Sequence, residues 1–208
     1  MVAGSNTGES MDIRSVGIVG AGQMGNGIAH VFALAGYDVL MNDISAEGLQ
    51  KAVATIDKNM ERQASRGKIT EADRAGAMGR IKTTLSLPDL GPCDLIIEAA
   101  TEREAVKNQI FEALGPHLGP QTILTSNTSS ISITRLASRT DRPERFMGFH
   151  FMNPETYEQI AVSPDVVGDD KVFLEDGIKV YLRTFEDVAI ALELPQRLTE
   201  RIATPGLR

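Results

Sequence analysis

The sequence has almost no cysteine, no excess of positive charge and no long apolar run. Cys93 is the one cysteine among 208 residues, so a disulfide within the chain is excluded and a reducing, cytoplasmic setting is expected. We interpret Cys93 as a small buried apolar residue. The formal net charge of −7 argues against nonspecific nucleic-acid binding, which needs a basic surface. No stretch approaches the length of a membrane span.

The composition is that of a globular domain, with 42% hydrophobic and 24% charged residues. The length suits one full domain and a small second piece. We expect residues 1–10 to form a flexible tail, because they are polar and glycine-rich. They resemble neither a secretory signal nor an arginine-rich transit peptide.

A glycine-rich turn follows the first apolar run of the chain. Residues 16–19 are largely β-branched and stop at Gly20, and apolar residues at near-helical spacing come next, which predicts strand, turn and helix. Gly20 permits the turn, Gly22 lets backbone amides approach a pyrophosphate, and Gly25 lets the helix pack close to the strand. The N-terminus of that helix would then face the phosphates.

Asp43 ends a second apolar run, residues 37–42, about 20 residues after the glycine turn. A carboxylate there accepts hydrogen bonds from ribose hydroxyls and repels a 2′-phosphate, so it favours NAD over NADP. Turn and acid together predict a nicotinamide dinucleotide site. The alternative for Asp43 is an N-cap of the helix that begins at residues 45–47, and both roles could hold at once.

Apolar strands alternate with amphipathic helices up to residue 151. This order predicts an α/β fold, a doubly wound and mainly parallel Rossmann sheet with right-handed crossovers. Two helices between the second and third strands predict an excursion from the sheet; the first ends near Gly67 and Thr70 caps the second. Later strands are predicted at 81–84, 94–98, 122–126 and 146–151, and later helices at 103–114 and 131–137.

Polar residues follow the predicted strands and should converge at one edge of the sheet, where such folds bind ligands. Among them, His150 carries the side chain best suited to accept a hydroxyl proton near neutral pH. The alternative is a strand-end histidine satisfied by backbone. His30 and His117 are expected too far apart to form a metal site. The converging segments are residues 20–25, Asp43, 99–107, 126–130 and 150–153.

Four segments in order resemble the L-3-hydroxyacyl-CoA dehydrogenase family, particularly its bacterial 3-hydroxybutyryl-CoA members. They are residues 20–30, 97–102, 126–130 and 148–154, and the resemblance covers about residues 11–154. It implies NAD-dependent oxidation of (S)-3-hydroxyacyl-CoA to 3-ketoacyl-CoA, in fatty-acid or butanoate metabolism, by a homodimer. Oxidation of an alcohol by a base and NAD requires no metal, and from charge and hydropathy we expect no nucleic-acid or membrane partner.

The resemblance also implies roles for individual residues. His150 would be the general base and Ser129 would hydrogen-bond the same substrate oxygen. Asn59 and Arg66 would contact coenzyme A. The NAD-binding residues would be Gly20, Ala21, Gly22, Gln23, Met24, Gly25 and Asp43 on the adenosine side, and Ala99, Glu102, Lys107, Ser129 and Asn153 on the nicotinamide-ribose side.

Three of these residues have simpler alternatives. Glu102 and Lys107 could be surface charges on a helix, at best a salt-bridged pair. Ser129 could be a helix N-cap. The basic region around Arg66 is by default a solvated helix face.

The resemblance stops after Pro154. Val162 stands where the family has a glutamate partner for the base, and Glu158 is the nearest acid. Without a carboxylate on its far nitrogen, His150 loses the group that sets its tautomer and stabilises the imidazolium. A helical dimerisation domain is not evident in residues 155–208.

The divergent tail predicts a hairpin over residues 171–182, and residues 185–194 fit a strand or a helix equally well. A truncated, frame-altered or recombined product is our hypothesis for this tail. The competing function is a catalytically weak NAD-binding module. A third possibility is a dehydrogenase of small hydroxyacids with a similar fold.

Overall fold

Residues 13–152 and the strands Lys171–Phe173 and Lys179–Arg183 are described by the computed structural model of the protein. The strands are β1 (Ser15–Val19), β2 (Asp38–Asn42), β3 (Ile81–Thr84), β4 (Leu95–Glu98), β5 (Ile123–Ser126), β6 (Phe146–Met152), β7 (Lys171–Phe173) and β8 (Lys179–Arg183). They form one sheet in the order β3-β2-β1-β4-β5-β6-β8-β7. The first six of these are parallel, whereas β8 runs antiparallel to β6 and to β7.

Five α-helices connect the parallel strands of the described residues. They are α1 (Gln23–Leu34), α2 (Ala46–Ser65), α3 (Glu71–Arg80), α4 (Glu104–Leu114) and α5 (Ile133–Ala137). The predicted order of strands and helices is confirmed, with ends that differ by at most two residues. The parallel sheet with helices also confirms the predicted Rossmann-like fold class.

Both faces of the sheet are covered. Ile96 of β4 belongs to one buried cluster, while its neighbours Leu95 and Ile97 belong to another. Because successive strand side chains point to opposite faces, the two clusters lie on opposite sides of the sheet. Phe32 of α1 packs in the cluster of Leu95 and Ile97, and Phe111 of α4 packs in the cluster of Ile96. The sheet is therefore doubly wound, as the sequence predicts.

The predicted excursion between β2 and β3 consists of α2 and α3, which pack against α1. Gly67 follows α2 with φ of +70°, a left-handed conformation that favours glycine after a helix. Thr70 caps α3: its hydroxyl accepts from the Asp73 backbone N–H at 3.0 Å, and its own backbone N–H donates to the Asp73 carboxylate at 2.9 Å. Both helix-end predictions are confirmed.

The chain crosses back over the sheet between β3 and β4. The strand β4 lies on the opposite side of β1 from β2, so the loops after β1 and β4 leave the sheet in different directions. In open α/β sheets this switch point forms the ligand crevice. The glycine turn and the segment that begins at Ala99 therefore border the same crevice.

Cys93 is buried, with 6% of its surface exposed, which confirms its apolar role. Across the described residues, no helix combines the length and apolarity needed to cross a membrane. The antiparallel pairing of β7 with β8 confirms the predicted hairpin strands. The predictions for residues 1–10, Asn153, Glu158, Val162 and 185–194 lie outside the described residues.

Candidate functional site

The glycine turn after β1 imposes a different steric requirement at each of its three glycines. Gly20 has φ of +102°, and a Cβ there would lie 2.7 Å from the Cα of Ala100. A Cβ on Gly25 would lie 1.8 Å from the carbonyl oxygen of Gly20. Around Gly22, no described atom lies within 4 Å of the Cβ position. Two glycines are thus needed for packing, and the third leaves open space beside the backbone.

The N-terminus of α1 begins at this open space. Within the described residues, no side chain caps α1, and its first turn carries no acidic residue. The first amides of a helix have no intrahelical partner, and the helix dipole places partial positive charge there. These residues therefore fit the pyrophosphate of a dinucleotide.

Asp43 connects the end of β2 to the glycine turn. One carboxylate oxygen accepts from the Ala21 backbone N–H at 2.8 Å, and the other accepts from the Ser45 backbone N–H at 2.9 Å. A carboxylate has about four acceptor positions, so others are left for ribose hydroxyls. The N-cap of α2 is Ser45, whose hydroxyl accepts from the Gly48 N–H, so the N-cap interpretation of Asp43 is wrong.

A buried ion pair lies at the end of β4. The ammonium of Lys107 on α4 is 2.5 Å from a carboxylate oxygen of Glu98, and the two side chains are 1% and 0% exposed. The Ser126 hydroxyl donates to the same oxygen at 2.7 Å, and the Ala100 backbone N–H donates to the other at 2.9 Å. The surface-charge interpretation of Lys107 is therefore wrong, because Glu98 holds it inside the protein. Contact of Lys107 with NAD stays a prediction.

Glu102 holds the loop that follows β5. One of its oxygens accepts from the Thr128 hydroxyl, from the backbone N–H groups of Ser129 and Ser130 at 3.1 Å each, and from the Ser130 hydroxyl at 2.8 Å. Its other oxygen lies 3.9 Å from the Lys107 ammonium. Partial burial tends to raise the pKa of Glu102, but these hydrogen bonds and the Lys107 charge outweigh it and lower that pKa.

This loop contradicts the helix N-cap alternative for Ser129. The N-cap of α5 is Ser132, which accepts from the Arg135 backbone N–H at 3.3 Å. Ser129 instead sits beside the Glu102 carboxylate, to which its backbone donates. Its predicted contact with substrate is compatible with this position and stays a prediction.

His150 lies on β6 at the same edge of the sheet and is half-buried. Burial lowers the pKa of the imidazole, and the negative charge of Glu102 opposes that effect. The next residue, Phe151, donates its backbone N–H to the Asn127 side-chain oxygen at 2.6 Å, which joins β6 to the loop after β5. The backbone next to His150 is thereby joined to the loop that carries Ser129.

Asn59 and Arg66 lie away from these loops, in the excursion. Asn59 is half-buried on α2, where its side-chain oxygen accepts from Arg62 at 3.0 Å. Arg66 is exposed at the C-terminal cap of α2. The predicted coenzyme A residues thus lie on a different element from the predicted NAD residues, and the role of both stays a prediction.

The sequence reasoning missed Glu98 as part of the site, and it gave no role to Asn127 or Thr128, which lie in the converging segment 126–130. One signal was present for Glu98: an acidic residue that ends an apolar strand of four residues, Leu95–Glu98. A buried acid is retained where it is paired and hydrogen-bonded, so such a position indicates a partner.

Comparisons with known proteins agree with this geometry. A profile of the family described as 3-hydroxyacyl-CoA dehydrogenase, NAD binding domain, matches residues 15–164. The chain is 47% identical over 194 residues to 3-hydroxybutyryl-CoA dehydrogenase of Bradyrhizobium diazoefficiens, covering 93% of this chain and 66% of that protein. It is 44% identical over 145 residues to the probable 3-hydroxybutyryl-CoA dehydrogenase of Deinococcus radiodurans, covering 70% and 52%. The chain spans about half to two thirds of the length of these relatives. An alignment over 93% of the chain extends past Pro154, so the expectation that the resemblance stops there is wrong for the Bradyrhizobium relative.

Two solved structures are also similar to this chain. The (S)-3-hydroxybutyryl-CoA dehydrogenase PaaH1 from Ralstonia eutropha superposes with a TM-score of 0.67 at 50% identity, covering 69% of this chain and 50% of that one. FadB2 of M. tuberculosis superposes with a TM-score of 0.67 at 44% identity, covering 69% and 51%.

A second family profile matches part of the chain. It is described as the elongation factor P (EF-P) OB domain and covers residues 147–192. The two profiles overlap over residues 147–164. The overlap includes most of β6, the strand that has a parallel neighbour on one side and an antiparallel neighbour on the other.

Proposed function

Because the chain belongs to the family of 3-hydroxyacyl-CoA dehydrogenase NAD-binding domains, we propose that it takes part in the NAD-dependent oxidation of (S)-3-hydroxyacyl-CoA to 3-ketoacyl-CoA. The observation that carries this proposal is the convergence of the glycine turn, Asp43 and His150 at one edge of the sheet. The substrate we favour is 3-hydroxybutyryl-CoA, since relatives 47% and 44% identical carry that name. The reaction belongs to fatty-acid or butanoate metabolism.

The residues at the switch point fit NAD. The backbone at Gly22 and the N-terminus of α1 would hold the pyrophosphate, and Asp43 would accept from the adenosine ribose. Ile44 is 99% exposed beside Asp43 and offers apolar surface to the adenine ring. Ala99, Glu102, Lys107, Ser129 and Asn153 complete the predicted nicotinamide side. When bound, NAD supplies the hydride acceptor.

His150 would take the proton of the substrate 3-hydroxyl. A base must be neutral before it accepts a proton, and burial, which lowers the pKa of His150, favours the neutral ring. Ser129 would hydrogen-bond the same oxygen. Arg66 and Asn59 would contact coenzyme A, for which an exposed guanidinium suits the phosphates.

Two titrations in sequence test the proposal. Calorimetric titration with NADH measures the cofactor half, and a second titration with acetoacetyl-CoA measures the substrate half. NADH absorbance then reports turnover. We expect NADH consumption with acetoacetyl-CoA that is lost in His150→Ala, while NADH binding persists. Turnover of free hydroxyacids in place of thioesters would favour the third possibility. No NADH consumption above that of His150→Ala would sink the enzymatic proposal.

A second candidate function is an NAD-binding module with weak or no catalysis. It is favoured by residues 165–192, which match the EF-P OB-domain profile and lie outside the match to the NAD-binding domain. This candidate predicts NADH binding without acetoacetyl-CoA binding. A homodimer is implied by the resemblance, and sedimentation of the purified chain tests it.

The tail after Pro154 is proposed to be joined from a different family. The support is the EF-P OB-domain match over residues 147–192, which overlaps the end of the NAD-binding match, although the alignment with the Bradyrhizobium relative also extends into this tail. The test is to sequence the parent gene through codon 154 and to compare this tail with related genomes. We expect those genomes to carry the tail after a different N-terminal sequence. An uninterrupted frame that carries the same NAD-binding domain and the same tail in related genomes would refute the proposal.

A further inference from the structure

We infer that Glu98 is a positioning residue: by neutralising the buried Lys107 ammonium, it leaves the carboxylate of Glu102 negatively charged towards His150. The inference deepens the proposed function, since it concerns the environment of the proposed base. It rests on a cluster in which one cation lies between two anions.

The distances in the cluster are unequal. The Lys107 ammonium is 2.5 Å from Glu98 and 3.9 Å from Glu102. Ser126 and Ala100 hold Glu98 with one hydrogen bond each, so its carboxylate has a fixed position. Lys107 is therefore paired mainly with Glu98.

Burial decides where the remaining charge lies. Glu98 and Lys107 are 0% and 1% exposed, and opposite charges out of water must neutralise each other. The side chain of Glu102 is 43% exposed. The three groups together carry a net charge of −1. Because the two buried groups neutralise each other, that charge lies on the carboxylate of Glu102.

Glu102 is coupled to His150 through the loop after β5. Glu102 accepts hydrogen bonds from both backbone N–H groups of Ser129 and Ser130. In the same loop, the Asn127 side-chain oxygen accepts from the backbone N–H of Phe151, the residue that follows His150. Among the described side chains, Glu102 supplies the charge that favours the protonated His150 and opposes the lowering of its pKa by burial.

Other ionisable residues near His150 stay constant in the test below. The strand β6 has no other ionisable residue, and β5 has none. Tyr181 of β8 is the register partner of His150. The ionisable residues on elements packed against β6 are Lys179, Tyr181 and Arg183 on β8, Arg135 on α5, which pairs with Glu104, and His30 on α1, whose Phe32 contacts Phe149 and Phe151.

NMR titration of the His150 ring protons tests the inference without requiring turnover. The signal is assigned by its loss in His150→Gln. In Glu98→Gln the Lys107 ammonium loses its partner and neutralises Glu102, so we expect the His150 midpoint to fall by about half a pH unit. In the double variant Glu98→Gln/Lys107→Met, Glu102 keeps its charge, and the midpoint should return to its original value.

Two single variants complete the design. Glu102→Gln removes an exposed charge, leaves the buried pair intact and should lower the midpoint as far as Glu98→Gln does. Glu112→Gln makes the same charge change at an exposed position of α4, away from the cluster, and should leave the midpoint in place. A purely structural role of Glu98 predicts a lower melting temperature with no recovery of the midpoint in the double variant.

An unchanged or raised midpoint in Glu98→Gln overturns the inference. If Glu98→Gln does not fold, an unchanged midpoint in Glu102→Gln overturns it instead. The outcome is separate from that of the proposed function, because the titration reads the ring directly in a chain with or without activity. In an active chain, the acid limb of kcat/KM should move by the same amount.

Discussion

The three glycines of the turn have different surroundings. Two of them are therefore required by the fold, and the third is open to a ligand. Gly20 and Gly25 are required by close backbone contacts, and any side chain there disturbs the fold. Gly22 has ordinary backbone angles, φ −66° and ψ −169°, and no described neighbour within 4 Å. A methyl group at Gly22 would therefore meet a ligand and not the protein.

Gly22→Ala should weaken NADH binding by at least about tenfold while the free energy of unfolding changes by less than about 0.5 kcal/mol. Calorimetric titration and urea unfolding measure the two quantities. The matched control is Gly27→Ala on α1, which also has no atom within 4 Å and should keep NADH binding. Equal NADH affinity in both variants would show that the pyrophosphate does not approach Gly22.

Cys93 should react slowly with thiol reagents in the native protein. Burial, with a smaller contribution from the Asp94 charge, raises the pKa of its thiol to about 11. Since the thiolate is the reactive form, its fraction at pH 8 is about a thousandth, against about a quarter for an unperturbed thiol. Labelling should accelerate about tenfold per pH unit between pH 8 and pH 10, as long as the protein stays folded. Rapid labelling at pH 8 without denaturant would contradict the burial of Cys93.

At the scale of secondary-structure elements, local sequence patterns predicted the helix ends correctly where the hydrogen bonds that define them join residues close together in the chain. The α3 helix begins where Thr70 and Asp73 exchange hydrogen bonds, and α2 ends where Gly67 adopts positive φ. Both signals are contained in a few consecutive residues. Lys107 shows the limit of such patterns, because a lysine on an amphipathic helix indicates a surface unless its partner on another element is known.

Thr70→Ala should lower the free energy of unfolding by about 1 kcal/mol, because the Asp73 N–H loses its capping acceptor. Urea unfolding measures the change, and NADH affinity should stay constant because α3 lies in the excursion. Thr55→Ala is the control: Thr55 is exposed on α2, where its hydroxyl donates to the Lys51 carbonyl. A loss in Thr55→Ala as large as in Thr70→Ala would contradict the capping role.

The whole molecule brings together loops that are distant in sequence. Asp43 accepts from Ala21, which lies 22 residues earlier, because β1 and β2 are parallel neighbours. Glu102 reaches Thr128, which lies 26 residues later, because β4 and β5 are also parallel neighbours. The candidate site exists only in the assembled sheet.

Asp43→Asn should reduce the preference for NADH over NADPH by about tenfold, because the repulsion between the carboxylate and a 2′-phosphate disappears. Titrations with both cofactors measure the ratio of dissociation constants. Asp38→Asn is the matched control, since Asp38 is exposed at the opposite end of β2. An unchanged ratio in Asp43→Asn would remove Asp43 from the ribose site.

The sequence by itself determined the order of elements, the Rossmann-like class, the helix ends at Gly67 and Thr70, and the family with its NAD cofactor. These depend on residue periodicity and on turn geometry within a few residues, or on motifs in a fixed order. Only the tertiary structure decided that Lys107 is buried against Glu98 and that Glu102 holds the loop after β5. The partners of those charges come from neighbouring strands, and the distances between strands are set by packing, which no local pattern encodes.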